Sequence, residues 1–255
     1  IESVISQNYP DLEYIIVDAG STDGSRDIIS SYRKQIAKII FEKDNGPADG
    51  LNKGFSNATG QLYGYLNADD LLLPNSLSTI NQAFLINSCI DIIYGDGYVI
   101  DEFGKRIRRI YSDQFDLKRF AYGCFTFIQP SFFFRKSAFN DCGGFNVYNR
   151  TCWDAELFLD MIQWHNTSFH INTPLSEFRL HPNSITGKRE NIKEFNLDKS
   201  RLFKKVVGRD YSVIDRFLKG FFFLEKEIIN PKNFFQFLAH KLQYYDLLPN
   251  QFMRF

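Results

Sequence analysis

The sequence predicts an α/β fold, with a mostly parallel central sheet flanked by helices and a helical C-terminal extension. Short apolar runs rich in β-branched residues alternate with helical segments over residues 1–95, the pattern of parallel βαβ units. Turn-rich, acidic loops follow two of those runs, at Asp18-Ala19-Gly20-Ser21 and at Asn67-Ala68-Asp69-Asp70. From about Glu190 onward the pattern is helical, with breaks near Gly208 and Pro231.

Residues 1–8 read as the end of a helix closed by Asn8-Tyr9-Pro10, and Leu12 to Val17 as a buried parallel strand. A loop with helix N-cap residues leads into a helix from about Asp23 to Ile36, followed by the short strand Ile39-Ile40-Phe41. Asn45-Gly46-Pro47 breaks the chain before a helix over 48–58, and Leu62 to Leu66 is the next strand. Pro74 opens a helix reaching about Asn87. Asp91 to Tyr94 and Tyr98 to Ile100 read as two strands, and Glu102-Phe103-Gly104-Lys105 as a hairpin turn. Further on, 127–134 and 175–180 are strand-like and 153–163 has helical spacing. The chain opens on what reads as the middle of an amphipathic helix, so residues upstream of Ile1 are expected.

Composition bounds the function. Thirty Lys and Arg balance thirty Asp and Glu in 255 residues, so there is no basic footprint of a nucleic-acid binder and no nucleic-acid partner is expected. An anionic ligand must be held by local features. Cys89, Cys124, Cys142 and Cys152 form no CxxC pair and read as buried or partly buried free thiols of a reducing, cytoplasmic compartment. No segment reaches the run of about 18 apolar residues that a membrane span needs.

In parallel sheets of this kind ligands sit beyond the carboxyl ends of the strands, where Asp18 and Asn67 to Asp70 fall. Adjacent acids such as Asp69 and Asp70 repel each other, and a hard divalent ion, Mn²⁺ or Mg²⁺, relieves that repulsion while completing its shell with water and phosphate oxygens. A solvated turn capping the next helix explains the same four residues, and that alternative stays open. Asp154 and Glu156 are two apart and point in different directions on a helix; acids are also favoured there by the helix dipole alone.

An ordered set of short segments carries a family resemblance. These are Ser3-Val4-Ile5-Ser6-Gln7-Asn8-Tyr9-Pro10, Val17 to Gly24, Asn52-Lys53-Gly54 with Ala58-Thr59-Gly60, and Tyr65 to Asp70. They continue with Tyr94-Gly95-Asp96, Gln129 to Arg135, Gly143-Gly144-Phe145, Asp154-Ala155-Glu156 and Phe178-Arg179-Leu180-His181. Together they resemble the inverting family 2 glycosyltransferases of the GT-A fold, over roughly residues 1–187.

The resemblance implies a catalytic domain over 1–187, which leaves the helical pattern as an extension over 188–255, outside the resemblance. It implies transfer of a sugar from a nucleoside diphosphate donor, UDP-sugar favoured, to a glycan or lipid-linked acceptor in cell-surface polysaccharide or glycan assembly. Asp18 matches the acid that contacts the nucleotide base, and Asp69 the metal-binding acid, with Asp70 directly after it. Asn67 stands where many members carry a first Asp. Asp154 matches the catalytic base. Lys53 and Arg179 are donor-binding candidates, and His181 a candidate for the metal or diphosphate. Asn52 and Arg135 are weaker candidates. The family's first strand would precede residue 1, and a pocket lacking it is expected to be incomplete. A nucleotidyltransferase on a related fold and a non-catalytic nucleotide-sugar-binding protein remain alternatives. So does a glycoside hydrolase with paired carboxylates, which UDP binding would exclude. The Phe-rich C-terminal stretch, with Phe221-Phe222-Phe223, Phe234, Phe235, Phe237 and Leu238, suits either helix packing, on the domain or in a homodimer, or peripheral contact with the inner face of a membrane.

Overall fold

A computed structural model describes residues 1–182, 184 and 192–243. In chain order the elements are α1 (Glu2–Ile5), β1 (Ile15–Asp18), α2 (Ser25–Ser31), β2 (Lys38–Phe41), α3 (Pro47–Ser56), β3 (Leu62–Gly64), β4 (Leu71–Leu72), α4 (Ser76–Ile86), β5 (Ile92–Ile100) and β6 (Arg106–Ile110). Then come α5 (Leu117–Ala121), β7 (Phe132–Arg135), α6 (Lys136–Asp141), α7 (Trp153–His165), β8 (Ser168–Arg179), α8 (Ile192–Val207), α9 (Val213–Ile229) and α10 (Pro231–Gln243). Single 3₁₀ turns occupy Arg33–Gln35 and Gln129–Ser131.

The chain forms two compact units, one of residues 1–93 and 132–168, the other of 94–131 and 169–255. The boundary expected at 187/188 lies outside the described residues.

In the first unit β1 and β2 pair in parallel, Ile15 opposite Lys38 and Asp18 opposite Phe41. Strands β3 and β7 pair antiparallel, Leu62 opposite Arg135 and Gly64 opposite Phe133. Phe55 of α3 meets Tyr63, Phe134, Phe139 and Phe145 with ring centroids 4.9, 5.7, 4.7 and 6.0 Å apart. Such pairs contribute about 0.5–1.5 kcal/mol each beyond the area they bury, and they fasten α3, β3, β7 and α6 into one core. Phe132 continues it to Phe158 of α7, at 5.3 Å.

In the second unit β5 and β6 form the expected hairpin, with an irregularity between Val99 and Ile100, and β8 lies on the other side of β5. The two strands expected at 91–94 and 98–100 are a single strand. Gly95 and Gly97 sit inside it because a Cβ would collide with Leu175 at the first and lie 2.7 Å from Ile128 at the second. Val99, Ile110 and Ile128 form one buried cluster, and Tyr122, Cys124 and Phe203 another. Asp96 is fully buried, 2.8 Å from Arg109 Nη2 and from His170 Nε2, and accepts the Ser112 amide at 3.0 Å.

Three expectations need correction. The helix expected over 23–36 ends at Ser31 and gives way to a 3₁₀ turn. The strand-like run 127–134 becomes a strand only from Phe132, because a 3₁₀ turn at Gln129–Ser131, around Pro130, interrupts it. All four cysteines are free, but Cys89 is exposed.

Candidate functional site

Asp18 ends β1 and is buried, its Oδ1 accepting the amides of Gly20 and Ser21 at 3.1 Å each and Arg26 Nε at 2.6 Å. Burial pushes the carboxyl up, but the hydrogen bonds from Ser21, Arg26 and Gly20 outweigh it and bring it down from 3.8 to about 2. Arg26 is itself held, its guanidinium 4.6 Å from the centroid of the Phe41 ring on β2. The loop after β1 therefore closes around a fixed carboxylate.

The chain leaves β3 at Gly64, and Asn67 to Asp70 make a tight turn. The Asp70 amide donates to the Asn67 carbonyl, and Asn67 Nδ2 to Asp70 Oδ2, both at 3.2 Å. Asp70 is buried, whereas Asp69 is partly exposed. Helix α1 pins the segment after this turn. Ser3 Oγ accepts the Leu72 amide at 3.2 Å, and Gln7 donates to the Leu73 carbonyl at 2.8 Å and accepts the Leu77 amide at 3.3 Å.

Asp154 is the second residue of α7 and is half-buried. Burial pushes its carboxyl up, against the backbone amides of Ala155 and of Asp154 itself. Glu156 faces elsewhere: it is buried and accepts Asn149 Nδ2 at 2.7 Å and Asn146 Nδ2 at 3.1 and 3.2 Å. Tyr65 stands two residues before the Asn67 to Asp70 turn, and its hydroxyl is buried. Its hydroxyl is pushed well above its ordinary pKa by burial and, in lesser measure, by the charges of Asp154 and Asp70, with a hydrogen bond to the Trp153 side chain acting the other way. Asp70 and Asp154, more than 80 residues apart in the chain, thus lie within electrostatic reach of one phenol.

Lys53 donates to the Lys43 carbonyl and lies 3.6 Å from Asp49, bracing α3 against the loop after β2. Asn52 makes a two-point bond to the Phe145 backbone, at 2.8 and 2.9 Å. Arg135 donates to the carbonyls of Ile90, Ser88 and Phe84 at 2.8, 3.1 and 3.4 Å. Arg179 and His181 belong to the second unit. Arg179 Nη1 donates to the carbonyls of Asp101 and Glu102 at 3.0 and 3.1 Å, holding the β5–β6 turn, and the His181 carbonyl accepts Ser184.

The profile of glycosyl transferase family 2 matches residues 1–143, more than half of the chain. The chain belongs to that family. Among curated glycosyltransferases, the uncharacterized alr2836 of Nostoc sp. is 38% identical over 111 residues, 40% of this chain and 34% of that protein. The putative teichuronic acid biosynthesis glycosyltransferase TuaG of Bacillus subtilis is 29% identical over 199 residues, 74% of this chain and 75% of TuaG. The chain thus spans about a third of the first relative and three quarters of the second. Among solved structures, S. aureus TarS 1-349 in complex with UDP-GlcNAc aligns with a TM-score of 0.61 at 14% identity, over 81% of this chain and 66% of that one. The mannosyltransferase PcManGT of Pyrobaculum calidifontis in complex with GDP-Man and Mn²⁺ aligns with a TM-score of 0.59 at 15% identity, over 97% and 70%. The fold of this glycosyltransferase-family chain is therefore the GT-A fold.

The donor set also bears on a metal. Among the described residues no three His, Cys, Asp or Glu side chains converge on one point, so a closed protein cage is not built. The adjacent carboxylates of Asp69 and Asp70 suit an ion that takes few protein ligands and fills its shell with water and phosphate oxygens. Arg26, Tyr65, Ser3, Gln7 and Glu156 have no role that residue type alone assigns. All but Arg26 lie inside the family-like segments, which is the signal the sequence offers for them; Arg26 lies two residues beyond the segment that holds Asp18.

Proposed function

We propose that the chain is a glycosyltransferase that moves a sugar from a nucleoside diphosphate donor to an acceptor hydroxyl with inversion. The observation that supports this most directly is the match of the glycosyl transferase family 2 profile to residues 1–143, the stretch that holds Asp18 and the Asn67 to Asp70 turn. Asp154 takes the acceptor proton. The acceptor oxygen forms its bond to the anomeric carbon as that carbon's bond to the diphosphate oxygen breaks, and the electron pair leaves with the diphosphate. Burial raises the basicity of Asp154, which suits a general base. Asp18, its carboxylate fixed by Arg26 and the loop amides, receives the nucleotide base. Lys53, Asn67 and Arg179 complete the proposed donor contacts, with His181 assigned to the metal side. Asp69, with Asp70 beside it, would hold a divalent Mn²⁺ or Mg²⁺ ion, which when bound supplies positive charge to the departing diphosphate.

The nucleotide sugars in the TarS and PcManGT complexes support the donor class, with UDP-sugar favoured. The likeness to TuaG, named for teichuronic acid biosynthesis, supports cell-surface polysaccharide assembly as the setting, and a glycan or lipid-linked acceptor is part of this proposal.

The test is calorimetry of UDP and of GDP, each with and without Mn²⁺, on this chain and on Asp69→Asn. Metal-dependent binding that the substitution weakens at least tenfold is expected. Failure of both nucleotides to bind would overturn the reading, and metal-independent binding unaffected by Asp69→Asn would overturn the metal assignment.

A further inference from the structure

Strand β6 carries Arg106, Arg108 and Arg109, and Arg106 and Arg109 are both matched. Arg106 Nε lies 2.6 Å from Glu177 Oε1, with the guanidinium 4.1 Å from the centroid of the Tyr98 ring. Arg109 Nη2 lies 2.8 Å from Asp96 Oδ2, with its guanidinium 4.5 Å from the centroid of the Tyr111 ring. Each has one carboxylate and one aromatic face. Arg108 has neither: among the described residues it makes no hydrogen bond, ion pair or ring contact.

The surroundings of Arg108 call for a partner. The register sets it opposite Val99, and Ile110 opposite Gly97. Directly opposed residues of an antiparallel pair share a face, and so do residues two apart on one strand. Arg108 therefore shares its face with Val99 and Ile110, which are buried together with Ile128. Burial pushes its guanidinium below the ordinary pKa of arginine, and no carboxylate among the described residues offsets that. Yet the side chain keeps part of its surface open to solvent. A charge held in apolar surroundings is stable only when it is paired. Here the fold supplies the cation, and its counterpart is left to come from solution. A guanidinium fork fits a carboxylate or one edge of a phosphate through two parallel N–H···O bonds.

We propose that Arg108 anchors an oxyanion-binding site in the second unit, taking the phosphate or carboxylate group of a ligand through its guanidinium fork. The two groups present the same pair of acceptor oxygens, and titration separates them. This does not rest on the transfer reading, in which Arg108 has no part.

The test follows the arginine Nε–H resonances of the isotope-labelled full chain during titration with inorganic phosphate, pyrophosphate and acetate at constant ionic strength. Loss of one resonance in Arg108→Met assigns it. A saturable shift of the Arg108 resonance, with those of Arg106 and Arg109 unmoved, is expected with at least one of these anions. Movement by phosphate or pyrophosphate identifies a phosphate site, and movement by acetate alone a carboxylate site. The same anion should raise the Tm of the parent and leave that of Arg108→Met unchanged. Without anion, Arg108→Met should melt at or above the parent, because an uncompensated charge gives way to an apolar side chain. Arg108→Lys keeps the charge but loses the fork, so anion affinity should fall about tenfold or more. In Asp69→Asn the shift should persist; its loss there would make it an effect of the donor site and overturn the proposal. A parent whose Arg108 resonance none of the anions moves also overturns it, as does an Arg108→Met chain whose Tm rises with anion as the parent's does, or an Arg108→Lys chain that binds as the parent does. Arg108→Met melting several degrees below the parent would do the same, since the guanidinium would then serve the fold.

Discussion

Replacing Glu156 probes how firmly the first turn of α7 is held. Its carboxylate is 2% exposed and satisfies Asn149 Nδ2 at 2.7 Å and Asn146 Nδ2 at 3.1 and 3.2 Å. Asn149, 1% exposed, passes the restraint on, accepting the amides of Thr151 at 3.1 Å and Cys152 at 2.8 Å. Cys152 is the N-cap of the helix that carries Asp154. A hydrogen bond to a charged group contributes about 1.5–3 kcal/mol, and a buried donor left alone costs about 1–3 kcal/mol. Glu156→Ala strips both amides of their acceptor, so a loss of about 3–5 kcal/mol is expected. Glu156→Gln keeps one carbonyl oxygen for Asn149 and turns its own NH₂ toward Asn146, for about 1–2 kcal/mol. In urea, with a slope of about 2–3 kcal/mol/M, the Ala variant's midpoint should fall by about 1–2 M and the Gln variant's by about 0.5 M. Transfer assays should show kcat falling with little change in donor KM, because the helix N-terminus moves and the donor side does not. An Ala variant within about 0.5 kcal/mol of the parent, or a Gln variant less stable than Ala, would refute the argument.

Asp154→Asn should lower kcat about 10²–10⁴-fold while donor affinity by calorimetry stays unchanged. The base acts when ionised and burial raises its pKa, so activity should climb with pH through a midpoint above the ordinary Asp range; a midpoint at the ordinary value would contradict this. Asp18 is held at about 2 against 3.8, so its contribution to stability is complete above pH 3.8 and lost as pH falls toward 2. Arg26→Ala should flatten acid denaturation across that window by about 0.5–1 kcal/mol, Arg26 being partly open to solvent; an unchanged acid limb would count against the pair. At Gly64 an added Cβ would lie 2.5 Å from Phe133 Cδ1, so Gly64→Ala should cost about 1–3 kcal/mol, and adding Phe133→Leu should recover much of the loss in Tm.

Elements whose signal is local were legible in the sequence. The Ile15-Ile16-Val17 strand, the Pro47 helix entry and the hairpin at Glu102 to Lys105 follow from β-branching, proline and turn chemistry acting within a few residues, whereas Pro74 lies one residue before the N-cap Asn75 rather than in the first turn of α4. The features that were not legible depend on distant partners. That β5 runs unbroken through Gly95 and Gly97 needs Leu175 and Ile128. At the candidate site the acids were visible as motif members. The division of labour between Asp154 and Glu156 rests on Asn146 and Asn149, a relation that residue type leaves undetermined.

The interleaving of the two units has a consequence for biosynthesis. The first unit is closed by residues 132–168 and the second by 169–255, so neither can be completed as a continuous stretch leaving the ribosome. Leu62 of β3 must wait for Arg135 of β7, an interval of roughly 4–15 s at usual elongation rates. Throughout that time Phe55 and Tyr63 have no Phe134, Phe139 or Phe145 to pack against. The nascent chain therefore presents its aromatic residues to the cell before their partners exist, and holdase chaperones that bind exposed aromatic segments should engage it between the emergence of β3 and that of β7.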